Sequence, residues 1–293
     1  MIKKLMVILA IVCLFSSTGF ANTFESKSAK SVAFSEAEIE YMNRPEVKAV
    51  LDEKERLAEL HLQYRTGTLS KKGYIAELEA SGRDSDFVNK VTRIAPLESI
   101  DEFGSSSKTS AALLQNSLSI SHVTQQNGYY CGPATAYMAL KYNVPSFSGS
   151  QSSLANSLIY YDQDGDPGTP WNIGYNANNV LVFPMQNVLN QYMYVPWYLP
   201  KNIDYNTTAS SLKADIISTI DAGYPVAGNI CNASLNGFYT PGHWLIISGY
   251  KNSGNTITIY DPAYGQQYGA LSATFDVSIA TLHDALLGRG IIW

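Results

Sequence analysis

Eight residues, His243-Trp244-Leu245-Ile246-Ile247-Ser248-Gly249-Tyr250, run without a single charge. A run this short and this apolar reads as a strand covered on both faces. Lys251-Asn252-Ser253-Gly254-Asn255 follows, and Thr256 to Tyr260 then returns with alternating polarity. That is the chemistry of a hairpin. Further strands are expected at Tyr224 to Ile230, Ser272 to Phe275 and Gly290 to Trp293, with a short lead-in strand at Ser119 to Val123. Helical spacing precedes them at Gly132 to Tyr142, Ser152 to Tyr160, Met185 to Tyr192 and Ala209 to Ala222, the last closed by Gly223. Helices first and antiparallel strands later is the order of an α+β domain.

The charge is split along the chain. Residues 22–110 hold 13 Lys/Arg and 16 Asp/Glu, whereas residues 111–293 hold only 5 Lys/Arg and 9 acidic residues, all Asp. A switch of this kind marks a boundary between units of different character. Within the first region Asn43 is expected to cap a helix with Pro45 in its first turn. Val47, Val50, Leu51, Leu57, His61 and Tyr64 then fall near one face. Ser70 caps a second helix running to Leu78, so residues 36–95 read as a charged helical hairpin, with His61 on its surface. This region is either a stabilising spacer or a pro-segment that covers the site until removed. Gly104 to Ser110 has the composition of a linker. The expected division is a signal segment at 1–21, a charged helical region at 22–103, a linker at 104–117 and the principal domain at 118–293. A net charge of -5 with no basic stripe argues against a nucleic-acid partner.

The chain opens Met1-Ile2-Lys3-Lys4, runs apolar from Leu5 to Phe15 and reaches Gly19-Phe20-Ala21. A charged start, a short apolar core and a small residue at the cut describe a secretory signal peptide, cleaved after Ala21. The run is too short to span a bilayer. The expectation is a secreted protein, extracellular or periplasmic, with no membrane association once the signal is removed. Cys13 leaves with the signal; a lipid anchor there is disfavoured by the bulky Val12. Two cysteines remain, Cys131 and Cys231. In an oxidising compartment they could form one disulfide.

Cys131 offers a second reading. It opens a helix, and a helix N-terminus favours an anion. A thiol becomes a strong nucleophile only as the thiolate, and a neighbouring imidazolium is the other device that lowers its pKa. His243 is the candidate. It would return its proton to the leaving amine, with Asp261 to hold its ring. Pairing Tyr250 with Thr256 across the turn would set Asp261 opposite Leu245. His243 and Asp261 would then be diagonal neighbours, about 7–8 Å apart at the backbone and within side-chain reach. A one-residue slip would put them on opposite faces. Attack on a carbonyl also creates an oxyanion, which needs preplaced donors. The Cys131 backbone N–H is one and the Gln125 side-chain amide the other, with Gln126 as rival.

Gln125 through Leu140 (QQNGYYCGPATAYMAL) resembles the nucleophile segment of papain-fold peptidases of the bacteriocin-leader-processing, double-glycine-peptidase-like type, in a secreted stand-alone form. Pro241 to Tyr250 (PGHWLIISGY) and Ile259 to Gly265 (IYDPAYG) continue the likeness, which covers roughly residues 118–265. The resemblance implies a papain-like α+β fold with an N-terminal helical lobe and a C-terminal antiparallel sheet. It also implies cysteine peptidase activity on a peptide or protein substrate, with Cys131, His243, Asp261 and Gln125 in the roles given above. Thiol chemistry needs no cofactor. The usual fused transporter is not seen, so double-glycine specificity is not carried over.

Two other functions remain open. The same chemistry serves deamidases, amidases and transglutaminases, and a bridged Cys131 would instead favour an inactive binding domain. A free Cys231 is expected to be buried. Asp162 to Asp166 is read as a polar turn, since Pro167 and Ile173 break the calcium-loop pattern. His122 and His283 lack companions at ligand spacing and are read as structural.

Overall fold

The computed structural model describes residues 34–96, 114–158, 160–161, 167–169, 171, 174–175, 181–231, 234–237, 242–267 and 269–293. The signal segment, the core of the expected linker and the Asp162–Asp166 turn lie outside these residues.

Four helices come first: α1 (Glu36–Met42), α2 (Pro45–Arg65), α3 (Lys71–Ala80) and α4 (Ser85–Thr92). The expected hairpin is thus a four-helix unit. Ser70 does cap α3, accepting the Gly73 N–H at 3.1 Å. Asn43 does not cap α2: it closes α1, and Pro45 starts α2 behind Arg44. Pro45 fits there because a first-turn N–H has no partner inside the helix anyway. Strand β1 (Asn116–Ser117) leads to α5 (Cys131–Asn143) and α6 (Gln151–Leu158). Four two-residue strands, β2 (Tyr160–Tyr161), β3 (Pro167–Gly168), β4 (Gly174–Tyr175) and β5 (Leu181–Val182), pair β2 with β3 and β4 with β5. Then come α7 (Pro184–Met193), β6 (Pro200–Asn202), α8 (Ala209–Asp221), β7 (Val226–Ile230), β8 (His243–Lys251), β9 (Thr256–Tyr260), β10 (Thr274–Ser278), α9 (Ile279–Leu286) and β11 (Gly290–Ile292).

The main sheet runs β10-β9-β8-β7-β11-β6, every pair antiparallel. Its centre, β8, is buried from His243 to Tyr250. Two strands share one edge of it. β7 covers His243 to Ile247, and β1 takes over at Gly249 and Tyr250. That handover needs Gly249, where a Cβ would lie 2.7 Å from the Asn116 carbonyl oxygen. The expected lead-in strand at Ser119 to Val123 is therefore displaced: the pairing residues are Asn116 and Ser117, and 119–123 is irregular.

The β8–β9 hairpin begins with Lys251 opposite Thr256, one residue off the expected pairing. A bulge at Ser248 then restores the expected offset, so Ile246 faces Tyr260. One extra residue on one strand is what a bulge supplies. Continued one step, the register sets Asp261 opposite Leu245, as the site geometry requires.

Helices α5 and α8 both pack on β8, and α5 also meets α6 and α7. The core includes Leu140, Leu154, Val188, Ile216, Leu245, Ile247, Ile259 and Ile291. All described residues belong to one unit spanning Val32–Trp293. Helix α2 lies along α8 and is joined to it by buried polar contacts. Asp221, at the end of α8, accepts from His61 Nε2 at 2.8 Å, Asn116 Nδ2 at 2.7 Å, the Tyr250 hydroxyl at 2.9 Å and Arg65. His61 is 1% exposed, not on the surface. Helical spacing put it on the right face, but the sequence could not show that α8 covers that face. Lys54 is likewise buried, donating to the Trp197 and Trp293 carbonyls, whereas the apolar Val50 is exposed. A second core of Leu57, Tyr64, Tyr74, Leu78, Val88, Val91 and Ala222 seals the contact.

Candidate active site

Cys131 is the first residue of α5. Tyr130 ahead of it makes no side-chain cap, so the first-turn N–H groups are not claimed by a cap and favour an anion. Pro133 fits the first turn because it has no N–H to satisfy. Gly132 lets the chain pass close to Thr169, whose Oγ1 would be 2.1 Å from an added Cβ. The Trp244 indole N–H donates to the Thr169 carbonyl at 2.8 Å, which ties this wall to the residue after His243.

His243 opens β8 and is 3% exposed. Its Nε2 bonds Asp261 Oδ1 at 2.7 Å, and its ring also hydrogen-bonds the Cys131 sulfur. With Nε2 on the carboxylate, Nδ1 is the nitrogen left for sulfur. Burial alone would push the Cys131 thiol up. The His243 bond and charge, with backbone N–H bonds from Trp244 and Gly132, outweigh it and hold the thiol below its ordinary value. Burial lowers the His243 pKa, but Asp261 and Cys131 prevail and raise it to about 9. Both shifts favour the thiolate–imidazolium form of the pair. Burial also raises the Asp261 pKa, and bonds from His243, the Ala263 N–H and Asn236 reverse this, so it stays ionised.

Gln125 is buried before the helix. Its side-chain Nε2 donates to the Asn127 carbonyl at 2.7 Å. An amide nitrogen carries two hydrogens, so one remains for another acceptor. The backbone of Gln125 is clamped by the segment after Asp261: its N–H donates to Pro262 O at 2.8 Å and its carbonyl accepts from Gln266 Nε2 at 2.6 Å. The Thr124 hydroxyl adds a bond to Tyr264 O at 2.8 Å. The strand end that presents Asp261 therefore also places Gln125. Gln126 faces elsewhere: its N–H donates to Gln151 Oε1 at 2.9 Å, and its side chain accepts from Ser152.

Three contributors were not read from the sequence in these roles. Gln151, buried on α6, returns a bond to Thr124 O at 2.8 Å and so brackets Gln125. His122, taken as structural, donates from Nε2 to the Asp261 carbonyl at 2.8 Å. Asn236 Nδ2 donates to Asp261 Oδ2 at 3.1 Å. Gln151 opens α6, Asn236 closes a 3-10 turn and His122 lies in an irregular stretch, positions where no periodicity indicates which way a side chain points. The two cysteines are free thiols, Cys131 partly accessible and Cys231 exposed, so Cys231 is not the buried residue expected. It follows directly on β7, and its backbone N–H bonds Ala285 O at 2.8 Å. Among the described residues no group of three or more His, Cys, Asp or Glu could hold a metal ion. No helix among them is long and apolar enough to cross a membrane.

The model of the Peptidase_C39-like family matches residues 117–278, more than half of the chain. The chain belongs to that family. Cysteine peptidase activity is what membership in the C39-like family indicates, on a mixed fold of helices and antiparallel sheet. A solved C39-like peptidase candidate from Bacillus anthracis is similar at 16% identity and a TM-score of 0.40, over 62% of this chain and 95% of that one. No curated protein matches significantly.

Proposed function

We propose that this C39-like chain is a secreted cysteine peptidase. It would hydrolyse peptide bonds in peptide or protein substrates on a papain-like fold. The observation that carries the reading is the unbroken line of contacts from the Cys131 sulfur through His243 to Asp261, set at a helix N-terminus. In this reading the Cys131 thiolate attacks the substrate carbonyl carbon. The carbonyl π pair moves to oxygen, and the oxyanion is held by the Cys131 backbone N–H and the second Gln125 Nε2 hydrogen. His243 gives its proton to the amine as the C–N bond breaks, leaving a thioester. Water then attacks the thioester, His243 takes its proton, and the thiolate leaves. Asp261 keeps the imidazole oriented and offsets its charge throughout.

The test is incubation of the purified protein with a mixture of peptides, followed by mass spectrometry for new N-termini. New termini that vanish in Cys131→Ala support the reading. Release of ammonia or formation of crosslinks without cleavage would replace it with another thiol acyl transfer. Export is tested separately: N-terminal sequencing of the exported protein should begin at Asn22.

A further inference from the structure

We propose that Asn236 is a positioning residue for the triad: its side-chain amide locks the second oxygen of Asp261, and so fixes the carboxylate on which His243 depends. The inference rests on the Cys131–His243–Asp261 reading above and extends it to a residue outside that triad.

Asp261 Oδ1 is fully engaged. It accepts from His243 Nε2 at 2.7 Å and from the Ala263 N–H at 2.9 Å. A carboxylate held by one oxygen can still swing about its Cβ–Cγ bond. Asn236 Nδ2 removes that freedom by donating to Oδ2 at 3.1 Å. Asn236 is itself held on every polar atom of its side chain. Nδ2 also donates to the Ser272 carbonyl at 2.7 Å, and Oδ1 accepts from the Ser272 N–H at 3.3 Å and hydroxyl at 3.2 Å. Its backbone carbonyl takes the Leu271 N–H at 2.9 Å. The amide is buried, 6% exposed, in a 3-10 turn at Ser234–Asn236. The Ser272 bonds orient the amide toward Asp261. They also settle which side-chain atom is nitrogen, because the Ser272 N–H requires an acceptor and the Ser272 carbonyl a donor.

The physical consequence is directional. A carboxylate that keeps its orientation raises the proton affinity of the imidazole it faces, and a rotated one loses that bond. Among the described residues, Cys131 from α5 and Asp261 just after β9 are the titratable groups that raise the His243 pKa. Behind Asp261, His122 bonds only its carbonyl.

The test follows the titration of the His243 side chain by nitrogen NMR in the full-length mature chain, which needs no substrate. In Asn236→Ala, the His243 pKa should fall by about one unit or more, a tenfold loss of proton affinity. In Asn236→Asp it should stay at or above the parent value. Two carboxyl groups in contact share one proton, so the new group keeps a hydrogen for Asp261 Oδ2. Peptide turnover in Asn236→Ala should fall about tenfold or more, in kcat rather than KM. A folded Asn236→Ala protein with an unmoved His243 would overturn the proposal, as would an Asn236→Asp protein that falls as far as the alanine variant. Should Asn236→Ala fail to fold, Ser272→Ala removes one bond to the amide and should lower the His243 pKa by a smaller amount; no change there would refute the proposal equally. A parent protein that cleaves no peptide but shows these shifts would contradict the peptidase reading and still support the role of Asn236.

Discussion

Asp221→Ala tests whether α1–α4 are part of the folded unit or a detachable segment. Asp221 is buried and receives four side chains: His61 and Arg65 from α2, Asn116 from β1 and Tyr250 from β8. Removing the carboxylate leaves the Arg65 guanidinium, with a side chain only 4% exposed, without its counter-ion. Breaking a buried pair from one side costs about 3–5 kcal/mol, against a whole-domain stability of about 5–15 kcal/mol. His61→Ala keeps the Asp221–Arg65 pair and should cost about 1–3 kcal/mol. The assay is urea unfolding followed by tryptophan fluorescence and circular dichroism. Both probes should give one transition, shifted in Asp221→Ala with an unchanged slope. The pH dependence is also fixed in sign. Burial raises the Asp221 pKa, but His61, Arg65 and Asn116 outweigh it and hold the pKa below its ordinary 3.8. The stabilisation is thus present above that value and is lost as pH falls through the folded one. Asp221→Asn should lack this acid limb. A loss in Asp221→Ala below about 1 kcal/mol, or two separate transitions in the parent protein, would refute the reasoning.

Three further outcomes bear on the site. Gln125→Ala should lower kcat by about a hundredfold to a thousandfold with little change in KM, measured with any cleaved peptide. The pH profile of kcat/KM should be bell-shaped, rising as pH passes the lowered Cys131 value and falling as His243 deprotonates near 9. Gly132→Ala should destabilise the protein by about 1–3 kcal/mol through the collision with Thr169, measured by urea unfolding; Thr169→Gly in the same chain should recover most of the loss.

Much of this was legible in the sequence where a periodic element carried the residue. The chargeless run at His243 identifies β8, and the polar turn with the alternating return identifies its partner, so the sequence alone sets His243 and Asp261 near each other. The turn pairing was off by one because sequence patterns do not reveal a bulge such as Ser248. Elements β6 and α9 are among those that went unread. Strand β6 contains Pro200 and Lys201, which suit an edge strand and little else. Helix α9 is short, and only its Ser278 cap signals it. His61 was placed on the correct helix, but its burial depends on α8, more than a hundred residues away in the chain. Asn236, Gln151 and His122 share one difficulty. Each works through a polar contact to a segment distant in the chain or irregular in structure, and such contacts leave no spacing to read.

Everything proposed for the site depends on Cys131 being an activated thiolate paired with His243. Alkylation of the mature protein with iodoacetamide at about pH 6, without reductant, followed by mapping of the labelled peptides, tests this. An ordinary thiol, with a pKa near 8.5, reacts slowly there. Labelling should be fast at Cys131 and slow at the exposed Cys231, with the fast phase lost in His243→Ala. Equal, slow labelling of both cysteines, or a Cys131–Cys231 disulfide peptide in the map, would contradict the activated thiolate.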